Sequence, residues 1–137
     1  MHISARATIA GAGISGLIGA ALAADMTGAE IKALYEGNTI YLETTAASAT
    51  GKAGQGVIYW SKDGTAIYKT PTGATWTGKW EIKGNTNCPT WKELPGATYC
   101  TRVDKTGDVI SIVDAASGQV RAKIVKTAPG NAEKLVP

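Results

Sequence analysis

The chain has 137 residues, of which 44% are hydrophobic and 18% are charged. This composition predicts one globular domain and excludes a disordered tail, a coiled coil and a protein with several membrane spans. Fourteen lysines and arginines stand against eleven aspartates and glutamates, a net charge of +3. So small an excess does not favour nucleic acid as a partner.

Residues 1–23 have the three-part layout of a secretory signal peptide. Arg6 supplies the positive charge, an uncharged run follows, and an Ala-Leu-Ala sequence ending at Ala23 gives the small residues of a cleavage site. An uncleaved anchor helix is the alternative, which the four glycines of the segment disfavour. We expect cleavage after Ala23, or else after Ala24, leaving residues 24–137 as one domain without a stable membrane anchor. The predicted location is the periplasm or the medium outside the cell.

The only histidine is His2, inside the predicted signal peptide. The secreted domain would then lack the imidazole base of Ser-His-Asp and Cys-His catalysis and the histidine ligands of zinc sites. We therefore predict a protein that is not an enzyme and has no catalytic residue, metal site or cofactor. An enzyme that works through carboxylates, tyrosine or lysine is the weaker alternative. Residues 11–16 match the dinucleotide-binding fingerprint, but no strand–helix–strand unit surrounds them.

The two cysteines, Cys88 and Cys100, are twelve positions apart. An even number of cysteines in an exported protein predicts a disulfide, and closing so short a loop stabilises the fold by about 3 kcal/mol. A reactive thiol is the alternative, which the missing C-x-x-C motif and the missing imidazole both disfavour. We predict a structural bridge between neighbouring antiparallel strands.

The first predicted element of the domain is a short helix. Thr27 and Glu30 have the spacing of a capping box, and Gly37 is a natural residue to follow a helix end. The pattern predicts a helix over 28–36 that packs on the main body through one face, formed by Ile31, Leu34 and Tyr35.

Beyond the helix, hydrophobic residues recur with the period of a β-strand, and turn signals follow every 8–12 residues. The strongest hairpin signal is Asp63-Gly64. The Gly-rich segment 46–56 is expected to be a mobile loop, and the residues after 127 a loose tail. We predict a mainly β fold: an antiparallel eight-stranded barrel or sandwich, calycin-like, with one short N-terminal helix. Its strands are 39–45, 57–61, 66–70, 75–83, 87–91, 98–103, 109–113 and 119–126.

Aromatic residues supply the bulk of the predicted interior, because the chain has no Phe. The simplest interpretation is a packed core, and the alternative is an interior or face that holds a ligand. Tyr59 and Trp60 are adjacent, so they must point to opposite faces of a strand, and the helix could cover the outward one. The candidates for a ligand or partner surface are Tyr59, Trp60, Tyr68, Trp76, Trp80 and Arg102.

The other basic residues of the predicted strands belong to solvated faces in the simplest interpretation. Lys79 and Lys83 share one face, and Arg121 and Lys123 share another. If these residues cluster in space, they favour an anionic partner in the cell envelope.

Short motifs across the chain form a pattern: the helix followed by Gly37-Asn38-Thr39, then Asp63-Gly64-Thr65, Gly78-Lys79-Trp80, the two cysteines, and Gly130-Asn131. This pattern resembles an uncharacterised family of small secreted proteins of Gram-negative bacteria, the domain of unknown function 995. Gly78-Lys79-Trp80 is also similar to the G-x-W motif of lipocalins, although that motif lies in their first strand. The resemblance implies an exported protein with a calycin-like barrel, and it implies no particular ligand.

The leading functional hypothesis is a periplasmic binding or interaction module for a small apolar ligand or for another envelope protein. Its predicted marker is a cavity lined by Trp76 and Trp80, or an exposed aromatic patch. The alternative is an inhibitor of a secreted or host hydrolase, similar to lysozyme inhibitors. Such an inhibitor would place a rigid loop, either 46–56 or 92–97, into the cleft of an enzyme.

Overall fold

The structure is a computed structural model that describes residues 24–137. The predicted signal peptide, His2 and the fingerprint at residues 11–16 lie outside the described residues. Residues 24–137 form an antiparallel sheet that curls into a half-barrel, together with one short helix. The predictions of a mainly β fold, an antiparallel sheet and a single short helix are confirmed.

The helix α1 spans Gly28–Tyr35, and its start is fixed by the predicted capping box. The backbone N–H of Glu30 donates to Oγ1 of Thr27 at 3.2 Å, and the N–H of Thr27 donates to Oε1 of Glu30 at 2.8 Å. These two bonds satisfy donors that the first helical turn leaves free. Ile31 and Tyr35 are buried against the sheet, as the spacing of the apolar residues predicted.

Eleven strands make up the sheet. They are β1 (Ala24–Asp25), β2 (Asn38–Thr44), β3 (Gly54–Trp60), β4 (Thr65–Lys69), β5 (Thr75–Lys79), β6 (Ile82–Lys83), β7 (Thr86–Asn87), β8 (Thr90–Trp91), β9 (Thr101–Thr106), β10 (Val109–Asp114) and β11 (Val120–Pro129). The long strands lie side by side in the order β9-β10-β11-β2-β3-β4-β5. Beyond β9 the order continues with β7 and then β6, while β8 pairs with β5 and β1 pairs with β9.

The structure has eleven strands where the sequence predicts eight. The strand predicted over 75–83 divides into β5 and β6, the strand predicted over 87–91 divides into β7 and β8, and β1 precedes the helix. Both divisions fall where the hairpin bends. The N–H of Trp80 still donates to the carbonyl oxygen of Gly64, at 2.9 Å, in the register of the β4–β5 pair.

The pairing of β5 with β8 and the pairing of β6 with β7 have the same register. Gly78 lies opposite Trp91 in the β5–β8 pair, and Ile82 lies opposite Asn87 in the β6–β7 pair, with no residue inserted between them on either side. Strand β7 also pairs with β9, through Asn87 and Thr101. Strands β5 to β8 therefore form one bent hairpin, which brings one end of the sheet back toward β9 and curls it.

The predicted disulfide between Cys88 and Cys100 is present, with the two Cα atoms 4.1 Å apart. It lies beside the pairing of Asn87 with Thr101, so it joins the bent hairpin to β9. The predicted bridge is confirmed, although each cysteine lies one residue outside a strand: Cys88 follows β7 and Cys100 precedes β9. The bridge holds together the part of the sheet with the shortest strands.

The loop between β2 and β3 is shorter than predicted and is tied by hydrogen bonds. Strand β3 begins at Gly54, so the loop covers 45–53. Oγ1 of Thr44 and Oγ of Ser48 both donate to the carbonyl oxygen of Lys52, at 2.7 and 3.1 Å. These bonds fasten the loop to the end of β2.

The C-terminal segment is also more tightly attached than the predicted loose tail. Strand β11 continues through Pro129. Beyond it, the N–H of Gly130 donates to the carbonyl oxygen of Gly37 at 2.8 Å. Oγ1 of Thr39 donates to the carbonyl oxygen of Gly130 at 2.6 Å, and Thr39 is fully buried.

Candidate ligand-binding cavity

Six aromatic rings form one continuous cluster inside the curled sheet. Neighbouring ring centroids lie 4.9 to 6.4 Å apart, mostly in edge-to-face or tilted arrangements. Such pairs add to the stabilisation that burial of the rings already gives. The cluster consists of Tyr35, Trp60, Tyr68, Trp76, Trp80 and Trp91.

Tyr59 and Trp60 point to opposite faces of β3, as predicted. Trp60 is only 3% exposed and belongs to the cluster, whereas Tyr59 is half-buried on the outer face. The suggestion that the helix covers the outward ring is wrong. Tyr35 of α1 stacks on Trp60 with the ring planes 4° apart, so the helix packs on the inner face.

A cavity of about 70 Å³ lies beside this cluster. Trp60, Tyr68 and Trp91 form its aromatic wall, and Tyr35 reaches it from the helix. The predicted cavity lined by Trp76 and Trp80 is not the one observed. The volume is well below the roughly 300–1,000 Å³ of drug-sized sites, so the occupant is a compact molecule or a few waters.

The surface of the cavity is mainly apolar, but several residues around it carry buried polar atoms that have no partner. Among residues 24–137, five buried side-chain nitrogen or oxygen atoms lack a hydrogen bond, and four of them belong to residues that line this cavity. The fifth is Nε of Arg102. Buried polar groups are nearly always hydrogen-bonded, so four exceptions in one place need an explanation. The four atoms are the hydroxyl of Tyr35, Nε1 of Trp60, Oδ1 of Asn87 and Nε of Arg121.

Arg121 lies at the cavity and not on a solvated face as predicted. Its side chain is 12% exposed, and its Nη2 donates to Oδ2 of Asp114 at 3.1 Å. The guanidinium group also lies 4.5 Å from the ring centre of Tyr99, a cation–π contact. The N–H of Ala116, above all, holds the pKa of Asp114 below its usual value, with help from Arg121. The carboxylate therefore stays ionised beside Arg121.

Two of the three tyrosines that line the cavity, Tyr35 and Tyr68, are neutral at physiological pH. Burial raises the pKa of Tyr68 to about 12 and raises the pKa of Tyr35 further, because a buried phenolate would lose its hydration. Their hydroxyl groups can therefore donate hydrogen bonds. The lining holds no aspartate or glutamate that could work as a general acid or base.

The other predicted site residues lie outside the cavity. Trp80 is buried, and its indole N–H donates to the carbonyl oxygen of Ser61 at 3.0 Å. Trp76 is half-buried against Tyr68. Arg102 is half-buried on β9, where Nε lies 3.5 Å from Oδ1 of Asp25.

The cavity thus includes two of the six predicted site residues, Trp60 and Tyr68, while Trp76 and Trp80 belong to the aromatic cluster beside it. The sequence carries no functional signal for Tyr35 and Asn87. The spacing of Tyr35 indicates only the apolar face of a helix, and Arg121 indicates a solvated strand or, if the basic residues cluster, an anionic partner. Asn87 directly precedes a bridged cysteine, and no spacing or motif marks an unpartnered amide.

The fold and the cavity together define a small, disulfide-bridged half-barrel with an aromatic cavity that carries unpartnered polar groups. No family model, curated protein or solved structure matches the chain. Residues 24–137 contain no cluster of three histidine, cysteine, aspartate or glutamate side chains placed to hold a metal ion. Within the same residues, no helix has the length and apolar character needed to cross a membrane.

Proposed function

We propose that this protein is an exported binding module, in the periplasm or outside the cell, that holds a compact ligand in the aromatic cavity. The observation that carries the proposal is the cavity itself, which the rings of Trp60, Tyr68 and Trp91 wall and which residues with unpartnered polar atoms surround. The aromatic wall supplies apolar contact to a compact ligand.

The energetic cost of the cavity supports a role in binding. A buried polar group without a partner costs about 1–3 kcal/mol, against a total stability of only about 5–15 kcal/mol for a typical domain. Sequences violate the rules of good packing mainly at functional sites. Nε1 of Trp60, Oδ1 of Asn87 and Nε of Arg121 are left without partners around the cavity, which supports a role for this region beyond folding.

Binding is favoured over catalysis by the chemistry of the cavity lining. The titratable side chains of the lining are tyrosines and an arginine paired with Asp114, and the lining holds no aspartate, glutamate or histidine that could work as an acid or base. We therefore propose a protein without catalytic activity.

Export is proposed from two features. The first is the signal-peptide pattern of residues 1–23, and the second is the disulfide, because such bridges persist mainly in oxidising compartments. N-terminal sequencing of the protein recovered from the periplasm or medium tests this. A chain that begins at Ala24 or Asp25 supports export, and a chain that begins at Met1 contradicts it.

We also propose that the curled sheet works as a closed eight-stranded barrel of calycin type. Support comes from the unshifted register of the bent hairpin, in which β5 with β6 and β7 with β8 each behave as one strand. The pairing of Asn87 with Thr101 then joins the hairpin to β9. The relation to the domain of unknown function 995 likewise stays a proposal.

The binding function is tested by filling the cavity. Ala122 is 4% exposed and lines the cavity, so Ala122→Leu places three more carbon atoms into about 70 Å³. The probes are cyclopentane and 2-pyrrolidone, and the measurement is the shift of the indole N–H resonances during titration. We expect at least one probe to shift the Trp60 resonance in the wild type and neither to do so in Ala122→Leu.

The matched control is Ala33→Leu, the same change on the exposed face of α1. It should bind as the wild type does, and circular dichroism should show that both variants are folded. Wild-type protein whose Trp60 resonance responds to neither probe contradicts the binding function.

A hydrolase inhibitor is the second candidate, and the hydrogen bonds of the loop 45–53 favour it. Ser48 and Thr44 both bond to Lys52, so this loop has the fixed shape that insertion into a cleft requires. The test is inhibition of a panel of secreted hydrolases, lysozymes included. Inhibition that Ser48→Gly weakens supports this candidate, and no inhibition across the panel removes it.

A further inference from the structure

The disulfide lies on the line along which the bent hairpin meets β9 and the residues before it. On this line Asn87 is paired with Thr101, and Thr90 is paired with Thr98. The two pairings share one register, which places the two cysteines directly opposite each other. We call this line, which runs along residues 87–90, the seam.

The backbone groups at the middle of the seam bond to their own sides of it. The N–H of Cys88 donates to the carbonyl oxygen of Glu81, within the hairpin, at 2.9 Å. The carbonyl oxygen of Cys100 accepts from the N–H of Ala115, beside β10, at 3.0 Å. Pro89 has no N–H to donate. The S–S bond is therefore the link that joins these residues across the seam.

The seam is also one wall of the cavity. The residues on either side of each cysteine line the cavity: Asn87 and Pro89 beside the first, and Tyr99 and Thr101 beside the second. The cysteines themselves do not belong to that lining. Because side chains alternate between the two faces of a sheet, the bridge lies on the face opposite the cavity. A reagent can therefore reach the bridge without entering the cavity.

The hairpin is held at both ends, whereas the chain that it faces is not. At the turn of the hairpin, the N–H of Gly28 donates to Oδ1 of Asn85 at 2.8 Å, and at its base β8 pairs with β5. Residues 95–100 lie between β8 and β9, outside the strands. The bridge and the isolated pairing of Thr98 with Thr90 join these residues to the hairpin. Breaking the bridge should therefore free residues 95–100 first.

We infer that the disulfide is a redox switch that opens and closes the cavity. While the bridge is intact, the seam is closed and the cavity keeps its wall. When the bridge is reduced, residues 95–100 move away from the hairpin, Tyr99 leaves the wall, and the cavity opens to solvent. The release of a ligand through this opening rests on the proposed binding function, whereas the opening itself does not.

The reductant is a dithiol. One of its thiolates attacks Sγ of Cys100, which is half-buried, in preference to Sγ of Cys88, which belongs to a residue only 4% exposed. The S–S bond breaks, and Sγ of Cys88 departs as a thiolate that takes up a proton. The second thiolate of the reductant then displaces Sγ of Cys100 in the same way. Two electrons and two protons thus pass to the cysteines, and the reductant becomes a disulfide.

The test measures how closely solvent approaches the indole N–H of Trp60, a buried residue that lines the cavity. A neutral gadolinium chelate in solution broadens the resonances of protons near the protein surface. The broadening is compared between the bridged wild type and the wild type reduced with dithiothreitol. The internal reference is Trp80, whose indole N–H donates to the carbonyl oxygen of Ser61 outside the cavity.

We expect reduction to increase the broadening of the Trp60 resonance at least threefold and that of the Trp80 resonance less than twofold. The double variant Cys88→Ala, Cys100→Ala should resemble the reduced wild type, and dithiothreitol should not change it. Ala33→Gly, which lowers helix propensity on the exposed face of α1 and keeps the bridge, should resemble the bridged wild type.

Three results would overturn the redox switch. The first is equal broadening of the Trp60 resonance in the bridged and the reduced protein, and the second is an equal increase for Trp60 and Trp80. The third is unfolding of the reduced protein, seen by circular dichroism, because the bridge would then hold the whole fold and not one seam. The binding function is tested separately, with cyclopentane and 2-pyrrolidone on the bridged protein, so the two failures are distinguishable.

Discussion

Two tryptophans of the same cluster lie in very different surroundings. Trp60 and Trp80 have ring centroids 5.6 Å apart, and both are less than 10% exposed. The indole N–H of Trp80 donates to Ser61, whereas that of Trp60 has no partner. The indole N–H of Trp80 thus has its partner within the fold, whereas Trp60, without one, borders the cavity.

Backbone packing shows the same difference. On the Trp80 side, α1 meets the hairpin β6–β7 so closely that Gly28 touches Gly84 and Ile82. The N–H of Gly28 also donates to Oδ1 of Asn85 at 2.8 Å. We call this contact the packed region. Its groups are matched to one another, whereas several polar groups around Trp60 have no partner among the described residues.

The largest loss of stability is expected at Gly28, where the packed region has no room for a larger side chain. In Gly28→Ala the new Cβ would lie 2.9 Å from Cγ2 of Ile82 and closer still to the carbonyl oxygen of Gly84. Helix propensity alone favours alanine by up to about 1 kcal/mol. Overpacking should outweigh it and lower the free energy of unfolding by about 3 kcal/mol, measured by urea denaturation.

The control for Gly28→Ala is Ala33→Gly, on the exposed face of the same helix. There propensity acts alone, and the expected loss is about 1 kcal/mol. A Gly28→Ala variant as stable as the wild type would show that the contact with Gly84 is loose. The packed region would then no longer differ from the cavity.

The two tryptophans themselves give the next test. Trp80→Phe loses buried area and leaves the carbonyl oxygen of Ser61 without its donor, so we expect it to lower the free energy of unfolding by about 2 kcal/mol. Trp60→Phe also loses buried area, but it removes a donor that has no partner. Its loss in the free energy of unfolding should therefore be about 1 kcal/mol smaller than that of Trp80→Phe. Denaturation followed by circular dichroism measures both, and equal losses would contradict the difference in hydrogen bonding.

The sequence predicts the scaffold better than the site, for a physical reason. The capping box at Thr27, the hairpin signal at Asp63-Gly64 and the pairing of Cys88 with Cys100 each depend on residues close together in the chain. The cavity depends on Tyr35, Asn87 and Arg121, which only the curling of the sheet brings to one place. Long-range packing of this kind leaves no periodic pattern.

The sequence also misjudges one strand boundary and one side chain. The period of two continues through Trp80, whose N–H donates to Gly64 in the register of the β4–β5 pair, and nothing in that period marks the bend of the hairpin after Lys79. Arg121 alternates like a solvated residue, yet Asp114 and Tyr99 draw its side chain to the cavity. Neither the bend nor the position of this side chain is a property of the local pattern.

Most mutations in a protein core lower the free energy of unfolding, but a mutation of Asn87 should raise it. Asn87→Leu keeps the branched shape and the four heavy atoms of the side chain and removes a buried amide oxygen that has no partner, so the free energy of unfolding should rise by about 1 kcal/mol. The matched control is Asn38→Leu, because Nδ2 of Asn38 donates to the carbonyl oxygen of Leu34 at 2.9 Å. That variant should lose about 1 kcal/mol. Losses in both variants would mean that Asn87 has a partner within the fold.

The smallest effect concerns the ion pair at the edge of the cavity and its dependence on pH. The pKa of Asp114 is held below its usual value of 3.8 chiefly by the N–H of Ala116, and also by Ser117 and Arg121. A carboxyl group whose pKa falls on folding stabilises the protein above its unfolded pKa, and this contribution is lost as the pH falls through the folded pKa. The wild type should therefore be more stable than Asp114→Asn at pH 7. This difference in stability, which we call the gap, should narrow below about pH 4.

Thermal denaturation between pH 2 and pH 7 measures this gap. Asp108→Asn is the control, because Asp108 is an exposed carboxylate in the turn between β9 and β10. Its stability should follow that of the wild type across the range. If the gap for Asp114→Asn stays constant down to pH 2, the carboxylate does not gain its partners on folding. Arg121 would then bring an unbalanced charge to the cavity, and the cavity would favour an anion over an uncharged ligand.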